Sequence, residues 1–167
     1  MIPIEIEHKF LIRMPSFEVL KAQNGFRIRN ITQTYLKCES GKNERVRRIE
    51  ENQSVSYVHT IKQRISELSC YEDEKEISEE EYYALLIRAE EDKKSILKTR
   101  YSFEYSGHTL EIDVYEFWND RATLEIELSS EDEEYAIPSF LEVIKEVSND
   151  KRYKNTNLAQ NVPYDEI

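Results

Sequence analysis

The tightest constraint on this chain is a two-residue alternation of charged and apolar side chains that recurs along most of its length. In Leu110–Tyr115, Leu110, Ile112 and Val114 take one side of an extended strand, and Glu111, Asp113 and Tyr115 take the other. The same division sets Glu125 and Glu127 against Leu124, Ile126 and Leu128, and Lys98, Arg100 and Ser102 against Leu97, Thr99, Tyr101 and Phe103. Near the start, Glu5, Glu7 and Lys9 oppose Ile4, Ile6, His8 and Phe10. Val58, Thr60, Lys62 and Arg64 share a face, as do Glu72, Glu74 and Glu76, and as do Arg45, Arg47 and Ile49. On any one strand such a face fits a solvated edge as well as a binding wall. Recurrence on strand after strand favours one shared interior.

The strands predicted from this pattern are 4–12, 31–38, 44–50, 54–64, 70–77, 95–105, 110–115 and 122–128, most of them joined by short turns such as Asn24-Gly25 and Ser106-Gly107. Ser16 to Gln23 suits a short helix. Ser78-Glu79-Glu80-Glu81 is a capping box for a second helix reaching about Glu91. A third helix is expected over 131–146, with Ser130 as its cap and Pro138 breaking it. The expected fold class is α+β, mainly β: a closed eight-stranded antiparallel β-barrel with helices packed outside, in one domain spanning residues 1–167. If the apolar faces lie under helices, the charged faces line the lumen. Bases and acids together in such an interior suit a multivalent anion held with divalent metal ions.

Bulk properties narrow the partners. The 167 residues carry 34 acidic and 23 basic side chains, a net charge of -11, which disfavours long nucleic acids. Three glycines leave no phosphate loop, and no stretch approaches the ~20 apolar residues of a transmembrane helix. Cys38 and Cys70 have no C-x-x-C spacing and no apolar leader precedes them, so a cytoplasmic location without membrane attachment is expected. Cys70 has no basic neighbour in sequence to activate a thiol and reads as a small buried residue. His8, His59 and His108 are scattered, and Trp118 reads as a packing anchor.

Glu5-Ile6-Glu7-His8-Lys9 resembles the E-x-E-x-K signature of the CYTH family, the triphosphate tunnel metalloenzymes. The resemblance extends through Arg45-Val46-Arg47, Thr60-Ile61-Lys62, Glu72-Asp73-Glu74, Lys98-Thr99-Arg100-Tyr101, Leu110–Val114, Leu124–Leu128 and Asp150–Asn155, and is greatest to the short bacterial inorganic triphosphatases. It implies hydrolysis of a small-molecule triphosphate with Mg²⁺ or Mn²⁺. It further implies that Glu5, Glu7, Glu125 and Glu127 bind metal, with Asp113 assisting, and that Lys9, Arg45, Arg47, Lys62, Lys98 and Arg100 grip phosphate, with Arg152 closing one end. Glu72 and Glu74, beside Lys62, would orient or deprotonate the water. One position departs: Cys70 stands where the family has a basic residue in R-x-E-x-E, and Arg64 is the candidate substitute. Tripolyphosphate is the expected substrate. Thiamine or nucleoside triphosphates, a class IV adenylate cyclase reaction, a non-catalytic polyphosphate-binding module and a purely structural barrel are the alternatives.

Overall fold

The computed structural model describes residues 3–167. Its strands are β1 (Ile4–Arg13), β2 (Arg27–Leu36), β3 (Lys42–Glu51), β4 (Ser54–Arg64), β5 (Ser69–Ile77), β6 (Ile96–Tyr105), β7 (His108–Tyr115), β8 (Arg121–Glu127) and β9 (Val143–Glu146). The helices are short: α1 (Phe17–Lys21), α2 (Glu79–Leu85) and α3 (Asn155–Leu158). The hydrogen-bonded order is β5-β4-β3-β2-β6-β7-β8-β1-β9, and a β1–β5 pairing closes the first eight strands into an antiparallel barrel. Closure leaves no barrel strand with a fully unpaired edge.

β1 is the seam. One edge runs along β8 from Glu7 to Arg13, while the other pairs first with β5 at Ile4–Ile6 and then with β9 at Phe10–Ile12. The expected helix over 131–146 does not form. The chain there has turns and extended backbone, and Val143–Glu146 becomes the ninth strand. Beyond Ile6, the β1 edge presents backbone groups that need partners, and β9 supplies them. α2 starts where the capping box places it, with Ser78 Oγ accepting from the Glu81 amide at 3.1 Å. It ends earlier than Glu91, because a 3-10 turn at Leu86–Arg88 brings Ala89 into a bridge with Leu36.

The apolar faces are covered from outside. Phe10, Ile12, Phe103, Leu110, Ile112, Leu124 and Ile126 pack with Leu20 of α1 and Leu141. Leu36, Val46 and Ile77 pack with Tyr82 of α2. A third cluster fills part of the interior: Leu11, Tyr35, Ile96 and Tyr115 meet Trp118, Val147, Tyr153 and Leu158. Leu11 shares the face of Lys9, so the inward side of β1 changes from charged to apolar along its length. Trp118 anchors this plug, its indole N–H donating to the Pro163 carbonyl at 3.0 Å. No helix among the described residues is long and apolar enough to cross a membrane.

Candidate functional site

The inward faces enclose a cavity of about 550 Å³. Glu5, Glu7, Lys9, Arg45, Arg47, Lys62, Arg64, Glu72, Glu74, Arg100, Glu125 and Glu127 all line it, so most of the sequence-predicted site residues meet in one place. Strand parity explains the convergence: each contributing strand turns alternate residues inward, and closure brings all eight barrel strands around the same space.

One sector is crowded with carboxylates. Glu7 lies opposite Glu127 across β1–β8, and Glu111 lies opposite Glu125 across β7–β8. Like charges so placed repel. Burial, with Glu125 and Glu5 nearby, holds Glu7 well above the usual carboxylate range. Glu127 is raised to about 8 by burial and by its hydrogen bond and charge interaction with Glu111. Glu125 goes the other way: burial is outweighed by Lys9 and Arg100, which lower it.

The opposite sector is cationic. Arg45 and Arg47 follow each other on the inward face of β3, both buried, and the Nε of each lacks a hydrogen-bond partner. Burial and the adjacent Arg45 lower Arg47 to about 10. Arg47 Nη2 donates to Glu74 Oε2 at 3.0 Å, and Thr60 Oγ1 donates to the same oxygen at 3.2 Å, fixing that carboxylate. Lys62 Nζ bridges Glu5 Oε1 at 2.7 Å and Glu72 Oε2 at 3.1 Å. At Glu72 burial is outweighed by hydrogen bonding with Glu5 and by Lys62 and Arg45, so its carboxylate is held below the usual range. Lys9 Nζ donates to the Tyr153 carbonyl at 2.7 Å and lies 3.5 Å from Glu125.

Three expected residues sit elsewhere. Asp113 is behind the wall, its carboxylate taking Arg100 Nε at 2.7 Å, Arg100 Nη2 at 2.8 Å and Lys98 Nζ at 2.8 Å. Despite burial, Arg100 and Lys98 hold it well below the usual range. Its oxygens face cations, and the Lys98 ammonium is fully enclosed, so neither the metal role expected of Asp113 nor the phosphate role expected of Lys98 fits this placement. Together they orient Arg100. Arg152 lies outside the cavity, paired with Asp150 at 2.9 Å and Asp165 at 3.0 Å.

Other lining residues escaped the sequence reading. Arg29 enters the cavity and donates to Glu111 Oε2 at 3.0 Å. It was missed because β2 starts four residues before the predicted strand; the alternation of Arg27, Ile28, Arg29 and Asn30 was the available signal. Glu111 was visible in the alternation of β7, two residues from Asp113. Lys151, Lys154 and Ser148 arrive from the C-terminal segment, and nothing local in the sequence marks them as wall residues. The three histidines pair outside the cavity with Glu146, Glu44 and Glu133. Arg64 lies directly across the β4–β5 ladder from Cys70, on the same inward face.

Among the described residues no three carboxylates already converge as a ligand cage. The opposed pairs nevertheless leave oxygen donors whose repulsion a hard cation relieves, so the donor set fits such an ion.

Over 161 residues, 96% of this chain and 95% of the relative, the sequence is 32% identical to an inorganic triphosphatase from Acetivibrio thermocellus. The chain belongs to the CYTH family of triphosphate tunnel metalloenzymes. The crystal structure of the inorganic triphosphatase NE1496 is similar across 98% of both chains, with 27% identity and a TM-score of 0.60. The PH1819 protein of Pyrococcus horikoshii OT3 shares the fold, with a TM-score of 0.60 at 22% identity over 77% of this chain and 80% of its own. No family model matches the sequence. The CYTH barrel therefore accounts for both the alternation and its closure.

Proposed function

We propose that the protein is a metal-dependent triphosphatase that hydrolyses inorganic tripolyphosphate to pyrophosphate and phosphate. One observation carries this reading: the incompletely satisfied guanidinium groups of Arg45 and Arg47 share a cavity with the opposed carboxylates Glu7 and Glu127. The first pair calls for an anion and the second for a cation, and a metal triphosphate provides both. The names of the relatives, both inorganic triphosphatases, support the activity.

In this reading Arg45, Arg47, Lys62, Arg64, Arg100 and Lys9 hold the phosphate oxygens, each guanidinium offering a planar fork of donors. Glu5, Glu7, Glu125 and Glu127 would hold Mg²⁺ or Mn²⁺, which when bound would supply positive charge against oxygens that gain negative charge as the phosphoanhydride bond breaks. Glu74, fixed by Arg47 and Thr60, orients the attacking water. Glu72, held low by its neighbours, is a poor proton acceptor and acts by position. Catalysis then rests on placement and preorganised charge. The cytoplasmic assignment is supported by two free thiols, Cys38 being exposed.

The test is phosphate release from tripolyphosphate, thiamine triphosphate and ATP with Mg²⁺, Mn²⁺ or chelator, alongside Glu127→Gln and Lys9→Ala. Metal-dependent release, fastest from tripolyphosphate and lost in both variants, is expected. No release by the folded protein overturns the hydrolase reading, and cyclic AMP from ATP replaces it with a cyclase.

A further inference from the structure

Arg29 lines the cavity but has no place in the phosphate grip. It projects from the inward face of β2, directly across the β2–β6 ladder from Arg100. Arg27, two residues earlier on the same face, is occupied by a two-point contact with Glu51, its Nε and Nη2 each donating at 2.7 Å. Arg29 lies deeper, its side chain 19% exposed against 54% for Arg27. Its Nη2 donates to Glu111 Oε2 at 3.0 Å and lies 3.4 Å from Ser102 Oγ.

Glu111 Oε2 is shared by two guanidinium groups. Arg100 Nη1 lies 3.2 Å from the same oxygen that Arg29 holds. Arg100 Nε and Nη2 are committed to Asp113, so Nη1 is the nitrogen it can turn to a phosphate oxygen. The Glu111 side chain is only 8% exposed, and among the described residues Arg29 and Arg100 are the only cations within ion-pair distance of it. Glu127, hydrogen-bonded to Glu111, brings no positive charge. If Arg100 were the sole partner, a phosphate that drew Nη1 away would strand a buried carboxylate, and an unpaired buried charge is costly. With Arg29 in place, Glu111 stays paired throughout the exchange.

We propose that Arg29 is a positioning residue, retaining Glu111 while Arg100 passes its Nη1 donor from that carboxylate to a phosphate of the substrate. The inference rests on the triphosphate reading of the cavity and adds a residue to it. Arg29 itself touches no phosphate. Without it, Glu111 captures Arg100 and one donor of the grip is withheld from the anion. The loss falls on ground-state binding, because the donor is withdrawn before any bond to phosphorus changes.

The experiment measures tripolyphosphate hydrolysis by wild type, Arg29→Met, Arg29→Lys, Glu111→Gln and Arg29→Met/Glu111→Gln, with calorimetric binding of metal-free tripolyphosphate to each. Methionine keeps the apolar stem of Arg29 and removes only the charge, and circular dichroism confirms that each variant is folded. Arg29→Met should raise KM and Kd about tenfold, the scale of one lost charge-assisted contact, with kcat within about threefold. Arg29→Lys, which keeps a positive charge beside Glu111, should fall between Arg29→Met and wild type. The double variant decides the role. With Glu111 neutral, Arg100 is free, and loss of Arg29 should change KM and Kd by less than about twofold relative to Glu111→Gln. A tenfold loss that persists in the Glu111→Gln background shows that Arg29 grips phosphate directly, through its buried and unpartnered Nε, and overturns the proposal. An unchanged KM in Arg29→Met, or a fall confined to kcat, overturns it too. If wild type releases no phosphate, the hydrolase reading fails separately, and the calorimetric series decides the role of Arg29 by the same comparison. Absence of tripolyphosphate binding by wild type overturns both.

Discussion

Glu7 faces Glu127 directly across the β1–β8 ladder, two carboxylates on one inward face. Glu127 titrates near 8 when folded, against an unfolded value of about 4.3. Between those values the unfolded chain binds fewer protons, so stability of the metal-free protein falls as pH rises. Glu127→Gln should remove part of that decline and add roughly 1 kcal/mol at pH 8, discounted because the side chain is exposed to solvent screening. Thermal unfolding across pH 5 to 9 measures it, and a variant that follows the wild-type decline contradicts the assignment.

In the proposed metal site the same pair would make metal binding proton-linked. A cation held there would have to displace protons from Glu7 and Glu127. The rise in melting temperature on adding Mg²⁺ or Mn²⁺ should therefore be larger at pH 8 than at pH 6, and absent in Glu7→Gln/Glu127→Gln. A metal shift independent of pH argues against these ligands.

Among the described residues, Lys62 is the only cation within ion-pair distance of both Glu5 and Glu72. Those carboxylates and Glu7 hold its ammonium above the ordinary lysine value, against burial and Arg45. Lys62→Ala should lower kcat by about 10²–10³, the scale of losing one preorganised charge-stabilising donor. Steady-state kinetics on folded protein check this, and a change confined to KM points to ground-state binding alone.

Asp113 separates a supporting role from a metal role. Asp113→Asn leaves Arg100 and Lys98 buried without their counter-charge and should cost about 3–5 kcal/mol in urea unfolding. Mg²⁺ affinity should change far less than in Glu7→Gln. A comparable loss of metal affinity returns Asp113 to the ligand set.

Arg64 and Cys70 form a cross-strand pair in the cavity wall. Arg64→Ala should raise KM for tripolyphosphate about tenfold, a loss of ~1.4 kcal/mol in keeping with one charge-assisted contact. Adding Cys70→Arg should restore most of it by returning a guanidinium to the same patch of wall. Failure of the second change to rescue the first separates the two positions.

Much of the site was legible because strand parity is local. Glu5, Glu7 and Lys9 keep their common face in any register, as do Arg45 with Arg47 and Glu125 with Glu127. The 131–146 segment misled for a physical reason: Phe140, Leu141, Ile144 and Val147 have helical spacing, but Val143–Glu146 pairs with the open stretch of the β1 edge. Lys98 and Asp113 lie on the charged face of their strands, yet pairing at 2.8 Å with no free side-chain surface on the lysine takes them off the wall. Parity assigns a face; it does not say how deep beneath the cavity surface a side chain ends.

The sequence by itself determined which side chains share each inward face and, through the sum of those faces, that charges of both signs line one interior. The period of two fixes that before any long-range contact exists. Tertiary structure decided what distance and charge compensation require: the Glu7–Glu127 and Glu111–Glu125 oppositions, the withdrawal of Asp113 and Lys98 behind Arg100, and the arrival of Lys151 and Lys154 at the rim. These depend on register and closure between segments far apart in the chain. Local alternation carries no information about either.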